Sequence, residues 1–260
     1  MPSITPILSV IKTQDGLANI SSTNISNAER EGYVAKHAQV ISLGSQGGLS
    51  GVTLSPIYNA IDPTIELQTR KENSTLSQNQ VMHKFYEDIS VMFGAKGTQS
   101  SFAHDLGRFI TTVDGITANP DLSKKTEAMA FARSFAANIS GVANKVNDLR
   151  SSCDQMLDKA VKEVNELMKR ITSFNETIAQ LSISRNQSSP ALAGYIDVTS
   201  LENDRAELVH QLAGFIDIDV FKTPDNTLTI TTTGSGRTLV KGPYNYQLDY
   251  TPSKIGRAHV

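Results

Sequence analysis

The 260-residue sequence contains no tryptophan, and aromatic residues make up only 6% of it. Aromatic side chains supply much of the apolar surface in large cores and ligand pockets, so this composition argues against both features. Only one cysteine is present, which excludes an intrachain disulfide. The net charge is -2 and no basic block occurs, so nucleic acid is not expected as a partner.

Long apolar runs are missing as well. No segment approaches the ~20 consecutive apolar residues that a membrane-spanning helix needs, so no membrane partner is predicted. Residues 1–15 lack the basic start and the continuous apolar core of a cleavable secretion signal. If the protein leaves the cytoplasm, we expect it to use another export route.

The middle of the chain contains a heptad repeat of apolar residues. Two rows, with members seven or eight residues apart, indicate a coiled-coil seam of about five heptads. No Pro or Gly interrupts residues 142–182, so we predict a helical rod roughly 60 Å long there. Cys153 lies on the seam and is interpreted as a small buried hydrophobe rather than a reactive thiol. The predicted helix-packing seam comprises Val146, Leu149, Cys153, Met156, Ala160, Val164, Leu167, Ile171, Phe174, Ile178 and Leu181.

Apolar residues recur at helical spacing elsewhere too, and turn residues mark where these segments begin and end. Asp62-Pro63 is a typical helix start with proline in the first turn, and Ser123 is the predicted cap of the long helix. After Gly214 the pattern changes to alternation, which indicates strands. The predicted helices cover the first two dozen residues, 63–93, 102–117, 123–182 and 198–212, and the predicted strands cover 51–54, 216–221, 228–231 and 238–240.

The predicted fold class is therefore mainly α, with long antiparallel helices forming a coiled-coil-like bundle, followed by the start of a β-rich domain. The β-rich part is too short for an independent sandwich. The predicted division of the chain is 1–33 (first helix and the segment after it), 34–61 (short extended segments), 62–214 (helical bundle), 215–254 (start of the β-rich domain) and 255–260 (discussed below).

No sequence motif indicates catalysis. None of the five histidines lies in an HExxH spacing or beside the cysteine. Asp204-Arg205 and Glu207 are interpreted as a solvated helix face with an i,i+3 pair rather than as an acid/base pair. The acidic cluster 202–204 lacks the glycine of a calcium loop, and Gly234-Ser235-Gly236 is interpreted as a hairpin turn. No enzyme activity and no catalytic, cofactor-binding or metal site is predicted.

A short motif near the N-terminus resembles a segment of flagellar axial proteins. Asn24, Ile25, Ser26 and Asn27, followed by Gly32 and Tyr33, are similar to the residues that end the first helix in flagellar rod, hook and hook-associated proteins. Here Arg30-Glu31 replaces the Thr-Pro that usually precedes Gly-Tyr. The motif alone indicates only this wider group.

Further segments, in order, resemble one member of that group, the flagellar hook-associated protein 1 family. Residues 48–52 and 62–70 are similar to a strand and helix of the family, and 109–149 resembles its unit of short helix, Asn-Pro break and long helix. Leu201, Asp204, Arg205, Leu208 and Leu212 lie on a helix that resembles another family helix, which is followed by a strand pair and a Leu-Val-x-Gly ending, here 239–242. The resemblance covers about residues 4–250.

This resemblance implies a structural, non-enzymatic component of the bacterial flagellum that assembles with itself into a ring at the hook–filament junction. Filament assembly and motility would depend on it. The implied partners are the hook protein, the next hook-associated protein along the axis and an export chaperone. The implied location is extracellular, after export through the flagellar type III apparatus without a cleavable signal. No cofactor is implied, and the β-rich part would face outward.

Two alternatives remain open at this stage. Another flagellar axial protein, such as a hook or distal-rod subunit, would share the N-terminal motif, although hook proteins continue from Gly-Tyr into mostly β-structured chain. A non-flagellar coiled-coil adaptor would share the heptad repeat.

The last six residues, Ile255–Val260, form a translation of ATCGGAAGAGCACACGTC, the start of a common sequencing-library adapter. We hypothesise that the reading frame is truncated here and that these residues are an artefact, because the family's C-terminal helix does not follow. A transcript with the same frame and a native stop codon after Val260 would contradict this hypothesis.

Overall fold

The computed structural model describes residues 4–30, 32–43, 51–59, 61–94, 102–118, 121–188 and 197–252. Within these ranges helices dominate, which confirms the mainly α class. The predicted loop before Gly51 and the suspect segment 255–260 lie outside the described residues. The helices are α1 (Ile4–Ser26), α2 (Pro63–Phe93), α3 (Phe102–Ala118), α4 (Leu122–Gln187) and α5 (Thr199–Ala213).

Short antiparallel strands form three small sheets in the described part of the chain. β1 (Lys36–His37) pairs with β4 (Tyr58–Asn59), and β2 (Val40–Leu43) pairs with β3 (Gly51–Leu54). The third sheet is a four-stranded meander, in which the last strand was not predicted from the sequence. Its strands are β5 (Ile218–Lys222), β6 (Leu228–Thr232), β7 (Thr238–Lys241) and β8 (Tyr244–Asn245).

The observed helix starts can be compared with those predicted from turn residues in the sequence. Asp62 Oδ1 accepts a hydrogen bond from the backbone N–H of Thr64 at 2.8 Å, and α2 begins at Pro63 as predicted. Hydrogen bonds from Thr64 lower the pKa of Asp62 below its ordinary value. The predicted cap at Ser123 is wrong by about two residues, because α4 already begins at Leu122 and the N–H of Lys125 bonds Asp121 O.

The chain divides into two compact units. Two of the three boundaries fall inside helices, α2 and α4, and the third follows β8. Unit 1 comprises Met1–Leu76 and Val161–Asp249, and unit 2 comprises Ser77–Ala160 and Tyr250–Val260. The five-part division made from the sequence stays a prediction.

The core of unit 1 is formed by the second half of α4, by α5 and by the four-stranded sheet. Apolar side chains from all three elements pack together, so the sheet is not a separate layer but part of the same core. Ile171, Leu212, Ile230 and Val240 are fully buried there. The buried members of this cluster are Val164, Leu167, Met168, Ile171, Leu208, Val209, Leu212, Ala213, Ile218, Ile230, Leu239 and Val240.

Unit 2 is much more thinly packed. Among the residues of unit 2 that the structure describes, Ala128 is the only buried hydrophobic residue. Ring contacts supply part of its cohesion, with the centroid of Phe135 5.4 Å from that of Phe102 and 5.7 Å from that of Phe109. The guanidinium of Arg108 lies 4.5 Å from the ring centroid of Phe131, a cation–π distance.

Candidate functional site

Helix α1 packs with a largely polar face inward and an apolar face outward. Thr13 Oγ1 is within 3.4 Å of Val52 O, and Ser9 Oγ accepts from the N–H of Val52 at 3.2 Å. A Cβ on Gly51 would lie 3.1 Å from Ser9 Oγ, so the strand backbone approaches the helix closely. This face contributes Ile20 as its buried hydrophobic residue.

The opposite face of α1 exposes aliphatic side chains. Ile4 is 76% exposed and Ile7 is 62% exposed, and Leu8, Val10 and Ile11 are exposed as well. Their spacing of three and four residues places most of them on one face of the helix. We call these five residues the α1 apolar face. A contiguous exposed apolar surface of this kind is typical of an interaction site.

The Asn-Ile-Ser-Asn motif closes α1 and ties it to β1. Asn24 Nδ2 donates to Lys36 O, and Asn24 Oδ1 accepts from the N–H of Lys36, both at 2.9 Å. Tyr33 Oη also donates to Asn24 Oδ1 at 2.9 Å. Asn27 Nδ2 donates back to Thr23 O at 2.9 Å, in the last turn of α1. The side chain of Asn24 therefore acts as a double backbone clamp.

The remaining motif residues have different roles. Gly32 has a φ of 75°, a backbone conformation that favours glycine. A Cβ there would lie 2.8 Å from Glu207 Oε2, but that carboxylate ends a flexible side chain and could shift. Ile25 is exposed, and Ser26 is the last residue of α1. Because Ile25 makes no buried contact, its apolar side chain belongs with the exposed surface of α1 rather than with the clamp.

A nearly buried lysine connects β1 to the start of α5. Lys36 Nζ donates to Asp197 Oδ2 at 2.6 Å and to Ser200 Oγ at 2.7 Å. Asp197 Oδ1 accepts from both the N–H and the hydroxyl of Thr199. Burial alone would raise the pKa of Asp197, but the hydrogen bonds from Lys36 and Thr199 outweigh it and lower this pKa below its ordinary value.

Helix α5 is held from several sides. Asn203 is buried, and its Oδ1 accepts from Asn59 Nδ2 at 2.8 Å. On its outer side, Asp204 forms an ion pair with Arg30 at 2.8 Å between partly exposed side chains. Leu201 is half-buried, whereas Leu208 and Leu212 belong to the core. Helix α5, which carries the residues that resemble the family helix, thus contacts several other elements of unit 1.

The interpretation of Arg205 as part of a solvated face is wrong. Its side chain is only 3% exposed, and Arg205 Nη1 donates to Asn175 Oδ1 and to Asn226 O, both at 2.8 Å. The helix packs on α4 and on the sheet at the same time, so a residue next to the partly exposed Asp204 is still covered. Burial lowers the pKa of Arg205 to about 10, while the nearby carboxylates of Glu202 and Glu66 oppose this shift.

Asn175 is the centre of this buried polar junction. It is fully buried; its Oδ1 also accepts from the N–H of Leu228, and its Nδ2 donates to Leu228 O and Gly242 O. One amide therefore links α4, α5, strand β6 and the turn between β7 and β8. Sequence analysis missed it because an asparagine beside an apolar row reads as a solvent-facing position.

The predicted seam divides into two halves. Val164, Leu167, Ile171 and Ile178 are buried and Phe174 packs against the core, whereas Val146 and Met156 are exposed and Leu149, Cys153, Ala160 and Leu181 are intermediate. Cys153 was expected to be buried, but it is only half-buried. The part of α4 that carries it is thinly packed and offers no deep core. Whether the seam forms a coiled coil stays a prediction.

A further buried row in the second half of α4 lies one residue beyond one of the predicted rows. Met168, Asn175 and Ser182 are buried, each seven residues after the last, whereas Phe174 and Leu181 are only half-buried. Two of these three residues are polar, which hid the row from a search for apolar repeats. The period of seven was the signal that could have revealed it.

Within the described ranges, no group of three or more His, Cys, Asp or Glu side chains could hold a metal ion. None of the described helices combines the length and the apolar character needed to cross a membrane.

A comparison with protein families gives one finding. The model of the flagellar hook-associated protein FlgK helical domain matches residues 86–259, a span of more than half of the chain. No curated protein matches the chain.

Proposed function

The chain belongs to the family of flagellar hook-associated protein FlgK, and we propose that it is a structural subunit of the junction between hook and filament. It assembles with copies of itself into a ring, contacts the hook on one side and the next hook-associated protein on the other, and is needed for filament assembly and motility. The family is one of flagellar structural proteins, so no catalytic role is part of this proposal. Because the chain belongs to this family, a hook or rod subunit and a non-flagellar adaptor are the weaker alternatives.

The observation that carries this proposal is the α1 apolar face. Burying one leucine or isoleucine side chain contributes about 1.5–3 kcal/mol, and Ile4, Ile7, Leu8 and Ile11 are all exposed in the isolated chain. Contact with the same helix of neighbouring subunits would cover these side chains. Segment 1–33 is therefore the proposed axial part of the subunit.

Unit 2 supports the proposal independently. Its described helices expose Val81, Tyr86, Val91, Ile110 and Met129, while almost none of its apolar residues is buried. Helices with so little core of their own gain stability when a partner covers them. We assign these surfaces to contacts between subunits, with the β-rich part of the chain facing outward.

Export through the flagellar type III apparatus without a cleavable signal is part of the same proposal. A thinly packed helical unit costs little to unfold before passage through a narrow channel. An export chaperone that covers the exposed apolar faces would prevent aggregation before assembly.

The test is to replace Leu8 by Asp in cells that depend on this gene. The charge would sit at the centre of the α1 apolar face, so we expect hooks without filaments by electron microscopy and loss of swimming. Asn19→Asp adds one negative charge to an exposed position of the same helix and should leave both readouts unchanged. Because Leu8 is exposed, the variant should keep the helical circular dichroism of the parent chain.

Filament numbers equal to the parent in Leu8→Asp cells would overturn the role of this face. Secretion into the medium, measured in the same cells, separates a failure of assembly from a failure of export.

A further inference from the structure

Unit 1 contains a cavity of about 750 Å³. It lies beside the first turns of α2, the first two-thirds of α5 and the β5–β6 turn. This volume falls within the usual range of small-molecule sites. The cavity is separate from the α1 apolar face and is not used by the proposed function.

The walls of the cavity carry an excess of positive charge, although the whole chain is slightly acidic. Two of the basic side chains are neutralised by ion pairs: Arg70 with Glu66 at 2.7 Å and Lys222 with Glu202 at 3.0 Å. Arg205 donates instead to uncharged oxygens. The charged lining residues are Arg70, Arg185, Arg205, Lys222, Glu66 and Glu202.

The same walls concentrate buried polar atoms that lack a hydrogen-bond partner among the described residues. Two of these atoms are donors, Arg70 Nε and Arg205 Nε, in side chains that are 7% and 3% exposed. Two are acceptors, Asn59 Oδ1 and Asn226 Oδ1. Buried polar groups in native proteins are nearly always satisfied, by protein, water or a ligand. Their gathering in one cavity therefore points to an occupant with polar groups.

We propose that this cavity binds a carboxylate, held by the Nε sides of Arg70 and Arg205. A guanidinium edge presents parallel N–H donors that match the two oxygens of a carboxylate, whereas a lysine ammonium offers only a point charge. The carboxylate supplies acceptors to both orphan donors and adds a direct charged partner for Arg205, whose own hydrogen bonds go to uncharged oxygens. Asn59 and Asn226 accept from a donor group of the same ligand or from water.

The chemistry fits two sources, a free dicarboxylic acid or an acidic side chain of another polypeptide. Titration calorimetry of the full chain with succinate tests the first source, and titration with an acetylated tetra-glutamate peptide tests the second. Succinamide is the uncharged control for succinate, and sulfate at equal ionic strength is the control for general anion binding. Whichever carboxylate binds more tightly identifies the source.

Nuclear magnetic resonance gives a readout at the atoms themselves. The Nε–H signals of Arg70 and Arg205 should shift and exchange more slowly with water when the carboxylate binds, because each proton then enters a charge-assisted hydrogen bond. Arg70→Lys keeps the charge but removes Nε from this position, so affinity should fall by at least about tenfold. Lys71→Gln removes a charge from an exposed position next in α2 and should bind like the parent.

If Arg70→Lys fails to fold, Lys222→Gln replaces it, because the Lys222 side chain is largely exposed, and its affinity should also fall. If the cavity holds only water, titration with either carboxylate should release no heat and the Nε–H signals should not shift. That result would overturn the proposal. Equal binding of sulfate and succinate, or equal affinity in Arg70→Lys and the parent, would overturn it as well.

Discussion

The two halves of α4 carry the same kind of apolar repeat in different surroundings. In the second half Ile171 is fully buried and Leu167 is 5% exposed, because α5 and the four-stranded sheet pack on them. In the first half of the seam Val146 is 40% exposed and Met156 is 38% exposed. A heptad repeat therefore indicates which face of a helix is apolar, and it does not indicate whether the same chain covers that face.

The sharpest test of this comparison is to place a charge in each half. Leu167→Asp should lower the free energy of unfolding by more than about 3 kcal/mol, since it buries an unpaired carboxylate in the core. Val146→Asp should change it by less than about 0.5 kcal/mol in the isolated chain, since that position is solvated. Urea denaturation monitored by circular dichroism measures both, and equal losses would contradict the division of the seam.

A buried amide should matter almost as much as a buried apolar group. Asn175→Ala removes the partner of Arg205 Nη1 and of backbone groups of Leu228 and Gly242, so we expect a loss of roughly 2–4 kcal/mol. Asn147→Ala, on the exposed surface of the first half of α4, is the matched control. It should be neutral or slightly stabilising, because alanine favours helix.

A loss below about 1 kcal/mol in Asn175→Ala, measured by the same urea titration, would mean that water replaces the amide. The polar junction would then have little role in joining α4 to the sheet.

Asn175 also shows what the sequence could and could not predict. Helix and strand positions follow from local period and turn residues, so α2 from Pro63 and the hairpin around Gly234–Gly236 were predictable. The clamp of Asn24 on Lys36 and the burial of Arg205 depend on residues distant in sequence, and no local pattern encodes them. A polar residue that satisfies backbone groups of a remote strand looks like a surface residue until the fold is known.

The Lys36–Asp197 pair makes unit 1 sensitive to acid. The pKa of Asp197 in the folded chain lies below its ordinary value of 3.8, so its stabilising contribution is complete above that value and is lost as the pH falls through the folded pKa. The stability difference between the parent and Asp197→Asn should therefore shrink as the pH is lowered from about 6 to about 2.

Urea titrations across this pH range measure the difference directly, and the other acidic groups cancel between the two chains. A difference that stays constant with pH would show that the lost carboxylate acts as a helix cap or by packing and not through its charge.

The smallest change uses the single cysteine as a reporter of the two halves of α4. Cys153 is half-buried in unit 2, so its thiol should react with an aromatic disulfide reagent while the chain remains folded.

In Cys153→Ser/Val164→Cys the only thiol occupies a position that is 2% exposed. The valine-to-cysteine exchange removes little volume, so stability should fall by no more than about 1.5 kcal/mol. The thiol at position 164 should then react at least about a hundredfold more slowly, since it becomes accessible only when the core opens. Similar rates for the two thiols would mean that both halves of α4 open equally often, and the contrast in burial would then have no counterpart in local stability.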